Sequence, residues 1–459
     1  MTQNSTQPSL RHRVFRAGAW TLAGHVFSQI LRLGSNLIMT RLLVPEMFGI
    51  MALASVLLVG LQLLSDMGLR QNIVQSPRGH DPVFLNTVWT IQILRGMFIW
   101  VVALGVAFAL YLLGLAQWLP ATSVYAEPVL PSIIAILAFN AFIGGFESTK
   151  LATASRNLVL GKLTQIELIS QALGIAFMVA WAFVDRSVWA LVAGSLFTSL
   201  LRVILGNTLL PGERNKWHWD SSVFYEVLNF GKWIFLTSIL GFLAANGDRL
   251  ILGGLTDAKT LGMYSIAFFM VGALREVFSK LIGNVTFPAL SEVARERPEM
   301  LKQIYYKFRH PLDIATLLTT GILFFSGHFL IHILYDQRYF PAGDMLEILC
   351  IALFEVRFTV AGQCFMALGR PKLLIPIIGI QVLALYGLMP VAFALYGLNG
   401  ALWIAGGSVL FTLPMTLYLK IKLDLFDAKQ ELRALPWLVY GLALGWVVNQ
   451  IASKMGWSA

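Results

Sequence analysis

The chain has 459 residues, of which 57% are hydrophobic and only 13% charged, with a mean hydropathy of +0.72. A soluble domain carries roughly 25% charged residues, so the composition excludes one and points to a chain that crosses a membrane many times. The net charge of +10 is dispersed over short loops and not gathered in a patch, which excludes a nucleic-acid partner.

The N-terminus up to Arg16 is polar and basic. The apolar run that follows is too long for a cleaved leader and, with Arg32 inside it, too polar, so it is expected to stay as the first helix. Segments apolar enough to cross the bilayer recur at 17–39, 47–69, 84–114, 129–149, 165–184, 187–210, 230–255, 260–287, 310–334, 343–368, 371–396, 398–421 and 435–453. The third is long enough to tilt. With the N-terminus in the cytoplasm and the segments alternating, about 21 Lys and Arg fall on the cytoplasmic side, among them Lys150, Arg156, Arg309 and Lys420, against about 5 on the other. This positive-inside bias supports the order of spans. The longest loops, 211–229 and 288–309, are then cytoplasmic.

Charged and polar side chains inside these segments are the candidates for function. His25, Ser28, Gln29, Arg32, Ser35 and Asn36 recur at helical spacing and form one stripe on an otherwise apolar helix. A charge facing lipid near the bilayer centre costs about 3 kcal/mol or more. The stripe therefore either lines a cavity, with Arg32, Gln29 and Asn36 as substrate contacts, or hydrogen-bonds to a neighbouring helix. Arg95 reads as a cavity contact or as a side chain snorkelling to the interface. Arg249 reads as a substrate contact or, with Asp248, as a salt-bridged gate. Glu276 and Lys280 have the spacing of a helical ion pair, which leaves Arg275, about 100° around the helix, for substrate; a fully paired structural cluster is the alternative. Glu355 and Arg357 face roughly opposite ways, so each is expected to find its own neighbour; Glu355 is a candidate for ion coupling or a member of a structural pair, and Asp248, Glu276 and Glu355 together are the candidates for gating or ion coupling. His328 and His332 have the spacing of a metal pair but no third ligand, so no metal is expected. Cys350 and Cys364 on one helix would lie about 21 Å apart, beyond the roughly 7 Å of a disulfide. No cofactor is expected.

The chain also repeats itself. Phe48-Gly49-Ile50-Met51-Ala52-Leu53-Ala54 is echoed by Leu261-Gly262-Met263-Tyr264-Ser265-Ile266-Ala267, and the loop at 154–158 by that at 368–373, at nearly the same offset. Six spans separate the copies, so the two halves are expected to be parallel repeats, a transporter architecture. The segment Arg41-Leu42-Leu43-Val44-Pro45-Glu46-Met47-Phe48-Gly49 leads into a helix ending Asp66-Met67-Gly68-Leu69. This opening, with Asp248-Arg249-Leu250-Ile251-Leu252-Gly253 and Phe287-Pro288-Ala289-Leu290-Ser291, resembles the polysaccharide transporter family of the multidrug/oligosaccharidyl-lipid/polysaccharide exporter superfamily.

The resemblance implies an all-α integral membrane protein of about 12–14 transmembrane helices, in two six-helix lobes around a V-shaped central cavity. The lobes are expected at 1–210 and 230–423, joined by a cytoplasmic linker at 211–229, with an extra hydrophobic segment at 424–459. It implies a flippase, not an enzyme, that moves undecaprenyl-diphosphate-linked oligosaccharide across the bacterial inner membrane by alternating access, in the synthesis of O-antigen, capsule or exopolysaccharide. Its partners would be the lipid bilayer, the lipid-linked oligosaccharide, and a polymerase and chain-length regulator. A multidrug or cation antiporter of the same superfamily is the first alternative. It calls for an acid within an early helix, whereas Asp66 stands at a helix end and the early helices carry Arg32 and Arg95. A membrane polymerase or acyltransferase is the second, and it calls for a larger periplasmic loop than the one at 115–128.

Overall fold

The structure is a computed structural model that describes residues 10–454 except Asp66 and Leu158. The predicted helix-end acid and one residue of the 154–158 echo thus lie outside the described residues, as does the start of the basic N-terminus. The helices are α1 (Leu10–Leu42), α2 (Pro45–Leu64), α3 (Leu69–Gln75), α4 (Pro82–Leu115), α5 (Leu130–Leu137), α6 (Phe139–Gly145), α7 (Lys150–Arg156), α8 (Leu160–Val184), α9 (Trp189–Leu209), α10 (Ser221–Leu255), α11 (Ala258–Leu281), α12 (Phe287–Glu296), α13 (Leu301–Leu334), α14 (Ala342–Leu349), α15 (Val356–Ala367), α16 (Leu374–Leu383), α17 (Met389–Gly407), α18 (Leu413–Lys422), α19 (Ala428–Leu432) and α20 (Leu435–Lys454).

All thirteen predicted segments are helical. Among the described residues, eight helices are long and apolar enough to span a membrane, or nine if the bent run from Leu130 to Arg156 is one span. The eight leave out α1 and α10, whose 33 and 35 residues are interrupted by polar side chains such as Arg32 and Arg249. They also leave out α14 and α15, which a 3₁₀ turn at Cys350–Glu355 keeps short. The run Pro371–Lys422 counts once, yet its backbone breaks at Gly397 (φ 61°, ψ −152°), between the two spans predicted there. Side chains on the outside of the helices are apolar, as at Phe98, Phe108, Val184 and Leu395, which suits a hydrocarbon solvent.

The chain forms two compact units. The first holds α1, α3 to α9, most of α2 and the start of α10. Within it α1 packs on α8, α8 on α9, and α4 on α5 and α6. Asp81 caps α4 by accepting from the Val83 N–H at 3.0 Å. The Gln92 amide reaches the carbonyls of Gly144, Gly145 and Glu147 at 3.0–3.1 Å, and so ties α4 to the end of α6. Two cations counted above on the cytoplasmic side do similar work. Lys150 is buried and donates to the carbonyls of Asn207 and Leu210 at the end of α9. Arg156 donates to those of Ile73, Val74 and Ser76 at the end of α3. Helix C-termini carry unpaired carbonyls and partial negative charge, which a cation satisfies.

The second unit holds α11 to α20, the end of α10, and two pieces of the first half, Val44–Ala52 and Thr122–Val124. The repeated motifs meet inside it. A Cβ on Gly49 would strike the Ala258 carbonyl and come within 2.9 Å of the Gly262 nitrogen; one on Gly262 would strike the Pro45 carbonyl. The matched glycines of the echo thus allow the first turns of α2 and α11 to touch backbone to backbone. A second glycine seam joins α13 to α20. A Cβ on Gly441 would lie 2.5 Å from the Leu318 carbonyl, and one on Gly445 2.5 Å from that of Ile322. The Gly-x-x-x-Gly spacing at 441–445 is the pattern that lets membrane helices approach closely. The extra C-terminal segment is therefore a helix packed along α13.

Candidate functional site

A small cavity of about 80 Å³ opens inside the second unit, lined by Asp248, Tyr264, Arg275, Glu355, Gln381 and Ser408 among apolar residues. A second, of about 200 Å³, continues past Glu355 and Gln381 along α15 and α16. Asp248, Tyr264 and Arg275 come from the regular helices α10 and α11, and part of the rest from places where the helices leave α geometry: the 3₁₀ turn ending at Glu355, the π turn at Ala384–Leu388 and the 3₁₀ turn starting at Ser408. Such local departures from α geometry are frequent at functional sites.

Arg275, which its spacing from Glu276 and Lys280 leaves for substrate, has a charged partner here. It forms an ion pair with Glu355 of the neighbouring helical run. The side chains are 41% and 24% exposed, so the pair faces the cavity, and a pair this open stabilises by at most about 1 kcal/mol. Glu355 and Arg357 do pair with different neighbours, Arg275 and Asp313. Asp248 is buried and accepts from the Tyr264 hydroxyl. Arg249 donates to the Asn246 side chain at 2.6 Å and lies 4.2 Å over the Phe268 ring. Neighbours on their own and the next helix thus hold both members of the expected gate. Glu276 follows Arg275 around α11, outside the cavity lining. His332 stacks on Phe340 at 4.1 Å, and the His328 N–H donates to Glu347. Cys350 and Cys364 are both free and buried.

In the first unit the polar stripe of α1 divides. The Ser28 hydroxyl donates to Gln171 Oε1 at 2.7 Å, and the Gln171 amide returns a bond to the Ser28 carbonyl. That is the helix-to-helix reading. Gln29 is buried, Asn36 half-buried and Arg32 exposed. Arg95 donates to Ser65 and to the Gln62 carbonyl at 2.7 Å. It lines a polar cavity of about 290 Å³ with Gln62, Arg70, Gln92, Asn140 and Glu147.

The sequence reading missed one charged constellation. Arg309 and Lys420 count among the cytoplasmic-side cations, but both are fully buried, together with Asp313 and Arg357. Arg309 bonds Asp313 and Glu431, Arg357 bonds Asp313, and Lys420 pairs with Glu431. The Arg309–Asp313 pair has i, i+4 spacing, which is a readable signal. Lys420 and Glu431 stand eleven residues apart across a turn, and nothing in the spacing links them.

The model of a family described as polysaccharide biosynthesis protein matches residues 38–343, about two thirds of the chain. The chain belongs to this family. Among its relatives are the lipopolysaccharide biosynthesis protein WzxC of Escherichia coli K12, 22% identical over 75% of this chain and 67% of that one, and a putative O-antigen transporter of Shigella flexneri, 20% identical over 84% and 93%. The fold is that of the lipid II flippase MurJ in its inward closed conformation, at a TM-score of 0.71 and 13% identity over 95% of this chain and 98% of that one. An inward-facing multidrug transporter of the MATE family gives 0.65 at 13% identity, over 86% and 94%. This member of the polysaccharide biosynthesis family is thus a multi-pass membrane protein with the fold shared by flippases and multidrug exporters.

Proposed function

We propose that the protein translocates a lipid-diphosphate-linked oligosaccharide, of the undecaprenyl type, between the leaflets of the bacterial inner membrane, for a surface polysaccharide. No bond is made or broken in this task. The protein lowers the cost of passing an anionic diphosphate and a sugar chain through hydrocarbon, which needs cations and hydrogen-bonding groups kept wet inside apolar helices. The observation that carries the reading is Arg275. Its guanidinium sits within an apolar helix, opens onto a cavity, and is held by a partly exposed carboxylate. A diphosphate competes well with such a partner, because the planar guanidinium donates two parallel bonds to phosphate oxygens.

In this reading Arg275 and Arg249 serve the substrate in the second half, and Arg32, Gln29, Asn36 and Arg95 in the first. Glu355 is the group exchanged for substrate and the candidate for ion coupling. Asp248 and Glu276 tune its surroundings. The N-terminus is cytoplasmic, the halves at 1–210 and 230–423 alternate in access through the linker at 211–229, and a polymerase and chain-length regulator act on the same product. The relatives' names favour this reading over drug export, since the fold serves both kinds of transporter.

The test is reconstitution in vesicles with labelled lipid-diphosphate oligosaccharide. Protein-dependent exchange between leaflets is expected, and no exchange with any such substrate sinks the reading.

A further inference from the structure

In the second unit three cations, Arg309, Arg357 and Lys420, share one buried cluster with two carboxylates, Asp313 and Glu431. Cationic side chains thus outnumber carboxylates in the cluster, three to two. Nη2 of Arg309 and Nε of Arg357 are buried with no acceptor, although such groups are almost always satisfied.

The two carboxylates are held differently. Asp313 belongs to α13, one turn from Arg309. Glu431 is brought in by α19, a helix of five residues of which none is buried. Arg309 Nη1 at 2.6 Å, the Tyr306 hydroxyl at 2.8 Å and Lys420 Nζ converge on a single oxygen, Glu431 Oε1. The backbone of the segment adds its own ties: the Glu431 carbonyl accepts from Arg357 at 3.1 Å, and the Asp427 N–H donates to Tyr306 at 3.0 Å. Within α19 itself polar bonds do the docking, while the flanking Leu425 and Ala434 are buried and anchor its two ends. Without Glu431 the position of its oxygen would be ringed by guanidinium, ammonium and phenol donors, with the Tyr305 and Phe358 rings beside Arg309. Converging donors of this kind are the chemistry of phosphate recognition.

We infer that Arg309, Arg357, Lys420 and Tyr306 form a phosphate-binding socket whose resident occupant is Glu431, a built-in carboxylate that a phosphate-bearing ligand displaces as α19 lifts away. A lipid diphosphate as the natural ligand rests on the proposed function; the socket itself does not. The phosphate comes from a lipid headgroup or from a soluble pyrophosphate.

The test uses the full chain as wild type, Glu431→Ala, Glu431→Gln and Glu431→Ala with Arg309→Met. Binding of inorganic pyrophosphate is followed by calorimetry, and the unfolding midpoint by thermal melting. Removing the resident charge is expected to tighten pyrophosphate binding about tenfold or more. Pyrophosphate should restore the midpoint that Glu431→Ala loses, and Arg309→Met should abolish both gains. Glu431→Gln keeps the side chain's size and carries the same measurement if the alanine variant does not fold. Nanodiscs of phosphatidylcholine with and without phosphatidic acid, free of soluble phosphate, separate the sources. Stabilisation by phosphatidic acid marks a headgroup, and stabilisation by pyrophosphate alone marks a soluble ligand. Silence in both arms, or equal rescue by chloride at matched ionic strength, overturns the socket. Wild-type leaflet exchange is read separately. Exchange without phosphate binding removes the socket and spares the transport reading; binding without exchange does the reverse.

Discussion

Arg275 and Glu355 show how charge survives inside an apolar helix: each is the other's partner, and both face a cavity. Replacing Arg275 by Ala removes a charge-assisted donor worth about 1.5–3 kcal/mol to an anionic substrate, so exchange should slow about tenfold or more. Arg338→Ala, whose partner Asp336 lies two residues away, should leave the rate within about twofold. Equal effects in the vesicle assay would remove Arg275 from the site. Tyr264 makes a second residue-scale test. Its hydroxyl satisfies the buried Asp248 carboxylate, so Tyr264→Phe should cost about 1–3 kcal/mol and lower the unfolding midpoint. The sequence marks Arg32, Arg95, Arg249, Arg275 and Glu355 as unusual, because a charge in an apolar run is conspicuous. It does not name their partners, since Arg275 and Glu355 are eighty positions apart.

Helices were the most legible elements, because a run of about twenty apolar residues has few other uses. Departures from α geometry were not legible. The Cys350–Glu355 stretch contains neither Gly nor Pro, so no local signal announces the 3₁₀ turn that delivers Glu355 to the cavity. At the contact of α13 with α20, the Gly-x-x-x-Gly spacing could have been read, but not the helix it faces. Gly441→Val would push a branched side chain into the Leu318 carbonyl. It should cost about 1–3 kcal/mol by overpacking, visible as a lower unfolding midpoint and as weaker disulfide trapping between cysteines placed on α13 and α20.

For the molecule as a whole, loop charge makes a prediction about sidedness. Glu213→Cys in the long middle loop and Lys259→Cys at the start of α11 should be labelled from opposite faces of the membrane by an impermeant thiol reagent, with Glu213→Cys reached from the cytoplasm. Labelling of both from one face would overturn the alternation of spans between them. Lys150, Arg156, Arg309 and Lys420 belonged to the same charge count, yet the fold turns them inward to satisfy helix ends and carboxylates. The count concerns where charges stand along the chain, not what they touch.

What the sequence determined by itself follows from solvent and periodicity. Apolar runs must be helices in a bilayer, where every backbone group needs an internal partner, and a repeated motif marks a duplicated half. Only the tertiary structure decided what those elements bring together: the matched glycines of the echo in contact, the Arg275–Glu355 pair over its cavity, and a buried cation cluster paired with Glu431. Each joins residues remote in the chain, and such contacts depend on packing that no local pattern encodes.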